Sequence, residues 1–170
     1  MTDLRYPIGQ FQFPEVVTIQ QVKDWIEDIR VLPRQLAEEL SGASEQALAK
    51  TYRENGWTVT QLVHHIADSH MNSYIRFKLA LTEDVPTIKP YNEAEWAQLP
   101  DSELPVATSH KLIESLHERW VYLLSSLTEE QLQRAFNHPD SGLLTLEKAI
   151  ALYAWHGKHH LAHIQNALAK

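Results

Sequence analysis

The stretch from Tyr153 to Ile164, YAWHGKHHLAHI, restricts the possible folds more than any other part of the chain. It holds four of the ten histidines, at positions 156, 159, 160 and 163. Imidazole is the commonest protein metal ligand. Residues four apart on a helix share one side and can share one ion. Two such pairs occur here, His156 with His160 and His159 with His163. Two ligands do not complete a site. A chain built around this stretch must therefore pack another ligand-bearing element against it.

Helical spacing separates the two pairs. The last helix is expected from about Thr145 to Ala169, with Leu146, Ile150, Tyr153, Ile164 and Leu168 as its core stripe. At about 100° per residue, His160 falls about 40° from Leu146 and His156 about 80°. His163 and His159 fall at about 100° and about 140°, towards solvent. The spacing thus selects His156 and His160 as the core-flanking pair. Gly157 allows a close approach at the middle of this helix.

Earlier segments supply the partners. Residues 1–17 form an extended arm, since Pro7, Gly9 and Pro14 rule out a regular helix. Its apolar Tyr6, Ile8, Phe11 and Phe13 suit packing on the chain itself ahead of a partner subunit. Thr18-Ile-Gln-Gln21 is a capping box that opens a first long helix to about Ser41-Gly42. Pro33 predicts a kink or break in it. Residues 44–50 add one or two turns, and Tyr52 to Gly56 form a loop.

A second capping box, Thr58-Val-Thr-Gln61, opens a helix to about Leu81. Its core stripe is Val59, Leu62, Val63, Ile66, Tyr74, Phe77 and Leu81. This helix carries His64, His65 and His70. His70 falls on the apolar stripe, where an ordinary hydrogen-bonded core histidine is expected. His65 lies at the edge, on a polar strip with Ser69, Asn72 and Arg76, and His64 points to the opposite side. Spacing alone leaves the third ligand open between His65 and His70.

Residues 83–106 contain four prolines and form a long crossover, with a short helix within Asn92 to Leu99. A third long helix follows over 107–127, lined by Leu112, Leu116, Leu123, Leu124 and Leu127, with Trp120 near its edge. Arg119 falls inside that stripe. Thr128 opens a short helix to about Arg134, and Asn137 to Gly142 make a turn. No period-two strand signal is present. Four long helices, short extra helices and a crossover between the second and third predict an all-α four-helix bundle, with residues 1–170 as a single domain.

Composition narrows the chemistry. With 22 acids against 15 bases, the chain lacks the basic face that nucleic-acid binding needs. It has no cysteine, so zinc-thiolate sites and a cysteine nucleophile are excluded, and any transition metal must be held by His, Asp or Glu. No signal-type leader or run of about eighteen apolar residues occurs, which predicts a cytoplasmic protein with no membrane partner. GxSxG, phosphate-loop and HExxH patterns are also missing.

The segments WTVTQLVHHIADSHMNSYIRFKLALTE and GLLTLEKAIALYAWHGKHHLAHI resemble the DinB-like superfamily. More narrowly they are similar to its YfiT-type branch of metal-dependent hydrolases, linked to bacillithiol S-transferases. YPIGQF, YRENGWT, HERW and FNHPD extend the resemblance along the whole chain. It implies a four-helix bundle with one divalent ion per subunit, zinc first and nickel second, held by three histidines. By position these are His65, His156 and His160. The resemblance also implies a cytoplasmic homodimer acting on a small molecule, with a low-molecular-weight thiol as a further partner.

Three neutral imidazoles leave the ion's charge uncompensated and positions open. Such a site can activate water, giving a hydrolase. It can equally activate a substrate thiol, giving an S-transferase that conjugates thiol to electrophiles. A metal-binding module without catalysis and a bundle whose histidines only pack are the remaining classes. Arg76 and Asn72 are candidates for binding an anionic group, and Asp68 for orienting a ligand. Arg119 is a candidate for reaching the site or pairing with a buried acid.

Overall fold

The structure, a computed structural model, describes residues 3–170. The first two residues of the arm lie outside the described residues. Four long helices form the bundle: α1 (Ile19–Leu40), α3 (Val59–Thr82), α5 (Val106–Ser125) and α7 (Leu146–Leu168). Short helices α2 (Glu45–Leu48), α4 (Glu93–Trp96) and α6 (Glu129–Leu132) and a 3-10 turn (Pro100–Glu103) decorate the connections. The main packing runs between neighbours: α1 packs on α5 and α7, and α3 packs on α5 and α7.

Local chemistry starts these helices where the sequence indicates. The Thr18 hydroxyl accepts from the Gln21 amide while the Gln21 side chain accepts from the Thr18 amide, and Thr58 with Gln61 repeats the exchange. Each box satisfies two amides that a helix start leaves without partners. The arm runs without helix or strand over its described residues. The Phe11 ring lies 5.7 Å from that of Trp155, so the arm packs along α7.

Four expectations are corrected. First, α1 does not break at Pro33, which is buried within one continuous helix from Ile19 to Leu40. Second, the turn after α6 is a hairpin of β1 (Ala135–His138) and β2 (Gly142–Thr145), paired antiparallel with Phe136 opposite Leu144. Strands of four residues are too short to show alternation, and Gly142 at φ +79° makes the bend. Third, the buried stripe of α5 is Ile113, Leu116, His117, Trp120, Val121 and Leu124, whereas Leu112 is exposed. Reading the leucines alone turns the stripe by about one residue, because the face between α1 and α3 is set by all apolar positions. Fourth, Arg119 is exposed on the outer side, its guanidinium 5.6 Å from the Tyr74 ring centre, so it neither reaches the site nor meets a buried acid.

The core falls into two apolar clusters. One holds Ile29, Phe77, Trp120, Ile150 and Tyr153; the other holds Leu32, Leu36, Leu62, Ile66, Ile113, Leu161 and Ile164. Histidines mark the boundary on three of the long helices, His70 on α3, His117 on α5 and His156 on α7, and on α1 it falls between Ile29 and Leu32. Gly157 sits beside this boundary, where an added Cβ would come within 2.8 Å of a Leu32 methyl. Its lack of a side chain lets α1 and α7 close there.

Candidate metal centre

Helices α3 and α7 meet with His65, His156 and His160 facing one another. Each offers a ring nitrogen, and these nitrogens lie within 4.8 Å of one another. The Nε2 atoms of His65 and His156 are 3.2 Å apart. The rings of His65 and His160 have centres 4.6 Å apart, and those of His156 and His160 are 4.5 Å apart. Nitrogens bound tetrahedrally at about 2.0–2.1 Å from an ion stand about 3.3 Å from each other. The spacing and the donor set therefore fit a divalent ion held by imidazole.

Burial sets the charge of this cluster. Loss of solvation pushes the pKa of His65 down to about 4. It also holds His156 and His160 well below the ordinary histidine range, with neighbouring imidazoles adding to the effect. All three are neutral at pH 7, the form that binds metal. Trp57 lies against His65 with ring centres 4.7 Å apart, and the Ser69 hydroxyl is 3.5 Å from His156 Nε2.

His70 is fully buried and hydrogen-bonded, as a core-facing histidine should be. Its partners were not legible from spacing. Nδ1 is 2.8 Å from His117 Nε2, and Nε2 is 3.0 Å from His156 Nδ1. His117 Nδ1 is 2.7 Å from the Ile29 carbonyl oxygen. His64 turns away, with its Nδ1 2.7 Å from the Ser109 hydroxyl and its Nε2 2.8 Å from the Leu104 carbonyl, and so ties the crossover to α3.

His159 and His163 are not exposed, contrary to their helical angle. They are 7% and 2% accessible. The arm covers them: His163 Nε2 lies 3.2 Å from the Arg5 carbonyl, and Tyr6 lies near His159. Tyr52 stacks on His163 at 4.0 Å, and Trp155 stacks on His159 at 4.3 Å. His159, His160 and His163 also form a second convergent group. His160 meets His163 through Nδ1, at 3.3 Å, which leaves its Nε2 for His65 and His156.

The polar strip has other engagements. The Asn72 amide donates to the Asp68 backbone carbonyl, and Arg76 donates to the Lys89 carbonyl on the crossover. Burial raises the Asp68 pKa. Among the described hydrogen bonds, none joins Asp68, Asn72 or Arg76 to the three histidines. The crossover contributes a residue that motif reading missed. Tyr91 carries a buried hydroxyl close to Ser69, and burial and the nearby Glu93 carboxylate push its pKa up.

A bundle with three neutral histidines converging from two helices is the framework of a metal-dependent enzyme of the open-site kind. The sequence profile of the DinB superfamily matches residues 20–164, and the chain belongs to that superfamily. A relative from Halalkalibacterium halodurans, named "Putative metal-dependent hydrolase", is 56% identical over 168 residues, covering 99% of this chain and 98% of that one. A relative from Bacillus cereus strain AH820 with the same kind of name is 57% identical over 164 residues, covering 96% and 95%. The solved structure of YfiT from Bacillus subtilis, described as a "probable metal-dependent hydrolase with an unusual four-helix bundle topology", superposes with a TM-score of 0.93. It is 46% identical, over 96% of this chain and 95% of that one. A mycothiol-dependent maleylpyruvate isomerase shares the fold at a TM-score of 0.69 and 16% identity, over 88% of this chain and 63% of its own.

No described helix is long and apolar enough to cross a membrane.

Proposed function

We propose that the protein is a metal-dependent hydrolase of small molecules whose ion is held by His65, His156 and His160. The convergence of three neutral imidazoles from α3 and α7, two of them buried and that of His156 half-buried, carries this reading. The names of relatives more than half identical to this chain agree with it. A divalent ion in such a site supplies positive charge that brings the pKa of a water close to neutrality.

The residues of the chain perform the rest. The three histidines fill one side of the coordination sphere and leave the other side to the substrate. Trp57 and the apolar clusters above and below keep bulk water from the ring nitrogens. The hydroxyls of Ser69 and Tyr91 are the donors available to orient a substrate oxygen. Asp68, Asn72 and Arg76 line the strip leading from His65 and serve the substrate's polar end. Zinc, a homodimer and a cytoplasmic location belong to the same proposal and rest on the family resemblance; a thiol co-substrate belongs to the alternative reading, an S-transferase. The lack of cysteine is consistent with a thiol brought by the substrate, since no protein thiol competes for the ion.

Metal analysis of untagged protein tests the site. The expected result is about one ion per chain in the wild type and near none in His156→Ala. Retention of the ion by that variant would falsify the ligand set. The reaction is read by assaying zinc-loaded protein against a panel of esters, amides and electrophiles, with and without a low-molecular-weight thiol. Product formed with water alone supports the hydrolase, and product formed only with thiol supports transfer.

A further inference from the structure

Pro33 has an effect beyond α1. In a helix the carbonyl of residue i accepts from the amide of residue i+4. Proline has no amide hydrogen, so the Ile29 carbonyl loses its helical donor. The chain does not break there. Instead His117, reaching across from α5, places Nδ1 2.7 Å from that oxygen.

A carbonyl oxygen only accepts. His117 therefore carries its proton on Nδ1 and, as a neutral ring, has a lone pair on Nε2. That lone pair faces His70 Nδ1 at 2.8 Å, so His70 must donate from Nδ1 and keep a lone pair on Nε2. His70 Nε2 faces His156 Nδ1 at 3.0 Å, so His156 must also donate from Nδ1. Its one remaining lone pair sits on Nε2, the atom 3.2 Å from His65 Nε2.

We infer that the Ile29 carbonyl, freed by Pro33, anchors a directed chain of hydrogen bonds through His117 and His70 that fixes His156 in the tautomer presenting Nε2 to the ion. His70 and His117 are positioning residues for the metal site. The chain crosses all four long helices: α1 supplies the carbonyl, α5 and α3 the two intermediate rings, and α7 the ligand. A ligating histidine ordinarily donates its other ring proton to a carboxylate, a carbonyl or a water. Here two further imidazoles stand between the ligand and the carbonyl. The polarity of the ligand is thus set by a proline on a helix that contributes no ligand. This inference rests on His156 being a ligand, as proposed above, but the ring protons can be read without any metal.

The test is long-range proton–nitrogen NMR on metal-free protein with nitrogen-labelled histidine. The wild type is expected to show His117, His70 and His156 all protonated on Nδ1, although a free neutral imidazole favours Nε2. His117→Phe keeps a ring of similar size and removes the anchor. It is expected to give mixed tautomers at His70 and His156 and to weaken zinc binding, measured by chelator competition, about 10-fold. A packing role alone would lower thermal stability without moving the tautomer of His156.

A proton found on His156 Nε2 in the wild type overturns the inference. So does a His117→Phe protein with unchanged tautomers and unchanged zinc affinity. If that variant does not fold, the wild-type spectrum decides alone. Loss of the proposed ligand set is a separate outcome: zinc retained by His156→Ala, with the wild-type tautomers still as described, removes the metal reading and leaves the hydrogen-bond chain standing.

Discussion

Two of the proposed ligands sit one turn apart on α7, yet their surroundings differ in kind. His156 is backed by His70 and His117, both wholly inside the bundle, and the support ends on the carbonyl of a rigid helix. His160 is backed by His163, whose far nitrogen reaches the carbonyl of Arg5 on the N-terminal arm. Both supports end on a backbone oxygen, which accepts and cannot donate. The first is held by four packed helices. The second is held by a segment without regular structure. Orientation of one ligand is therefore a property of the core, and orientation of the other depends on how a terminus lies on the surface.

The largest expected consequence is a difference in stability. His70→Leu strands the Nε2 acceptor of His117 and the Nδ1 donor of His156 in apolar surroundings. Two buried groups left without partners cost about 2–5 kcal/mol in total. His163→Leu strands one nitrogen of His160 and a carbonyl near the surface that water can reach, at about 1 kcal/mol. Urea denaturation of the metal-free variants compares them. Equal losses would mean that the arm is as firm a support as the bundle interior.

Sequence patterning made this architecture legible in part. Capping boxes at Thr18 and Thr58 and the long apolar stripes mark the helices, because these signals are local. The pair His156 and His160 follows from the spacing of Leu146, Ile150 and Ile164 on one helix. What could not be read depends on contacts between elements. His159 and His163 have a solvent-facing angle on α7, and only the return of the arm buries them. His117 occupies a core position between Ile113 and Trp120, but its meaning needs α1, α3 and α5 together. Pro33 reads as a break because its compensation lies on another helix. Choosing His65 over His70 needed the family resemblance, since both lie near the inner face of α3. The hairpin at 135–145 is too short to carry a period.

Acid should expose the same contrast with a smaller effect. Burial depresses His117 to about 4, from an unfolded value near 6.5. The unfolded chain then binds more protons between these values. The stabilisation is complete above pH 6.5 and is lost as pH falls towards 4. At pH 5 the loss from this one group is about 2 kcal/mol. His163 is also depressed by burial, but the Arg5 and Leu4 carbonyls act in the opposite direction. Denaturation of metal-free protein at pH 7 and pH 5 should therefore show a fall in the wild type that is reduced in His117→Phe and nearly intact in His163→Phe. A pH dependence removed instead by His163→Phe would place the acid-sensitive group under the arm.

The smallest expected effect comes from the arm itself. Deleting residues 1–10 removes the Arg5 carbonyl from His163 and Tyr6 from His159, and leaves Tyr52 and Trp155 stacked on those rings. Desolvation is the leading cause of both depressed pKa values, so each should climb back towards 6.5 in an NMR titration of the metal-free protein. His163 then has no fixed acceptor, and its hold on His160 relaxes. Loss of one ligand's support costs metal affinity at the low end of the usual range, about 10-fold. The tautomers of His70 and His117 should not move, because none of the described hydrogen bonds joins their chain to the arm. If they do move, the two supports are coupled through α7. The bundle interior would then owe part of its order to a segment that, by its hydrogen bonds, only rests on the outside.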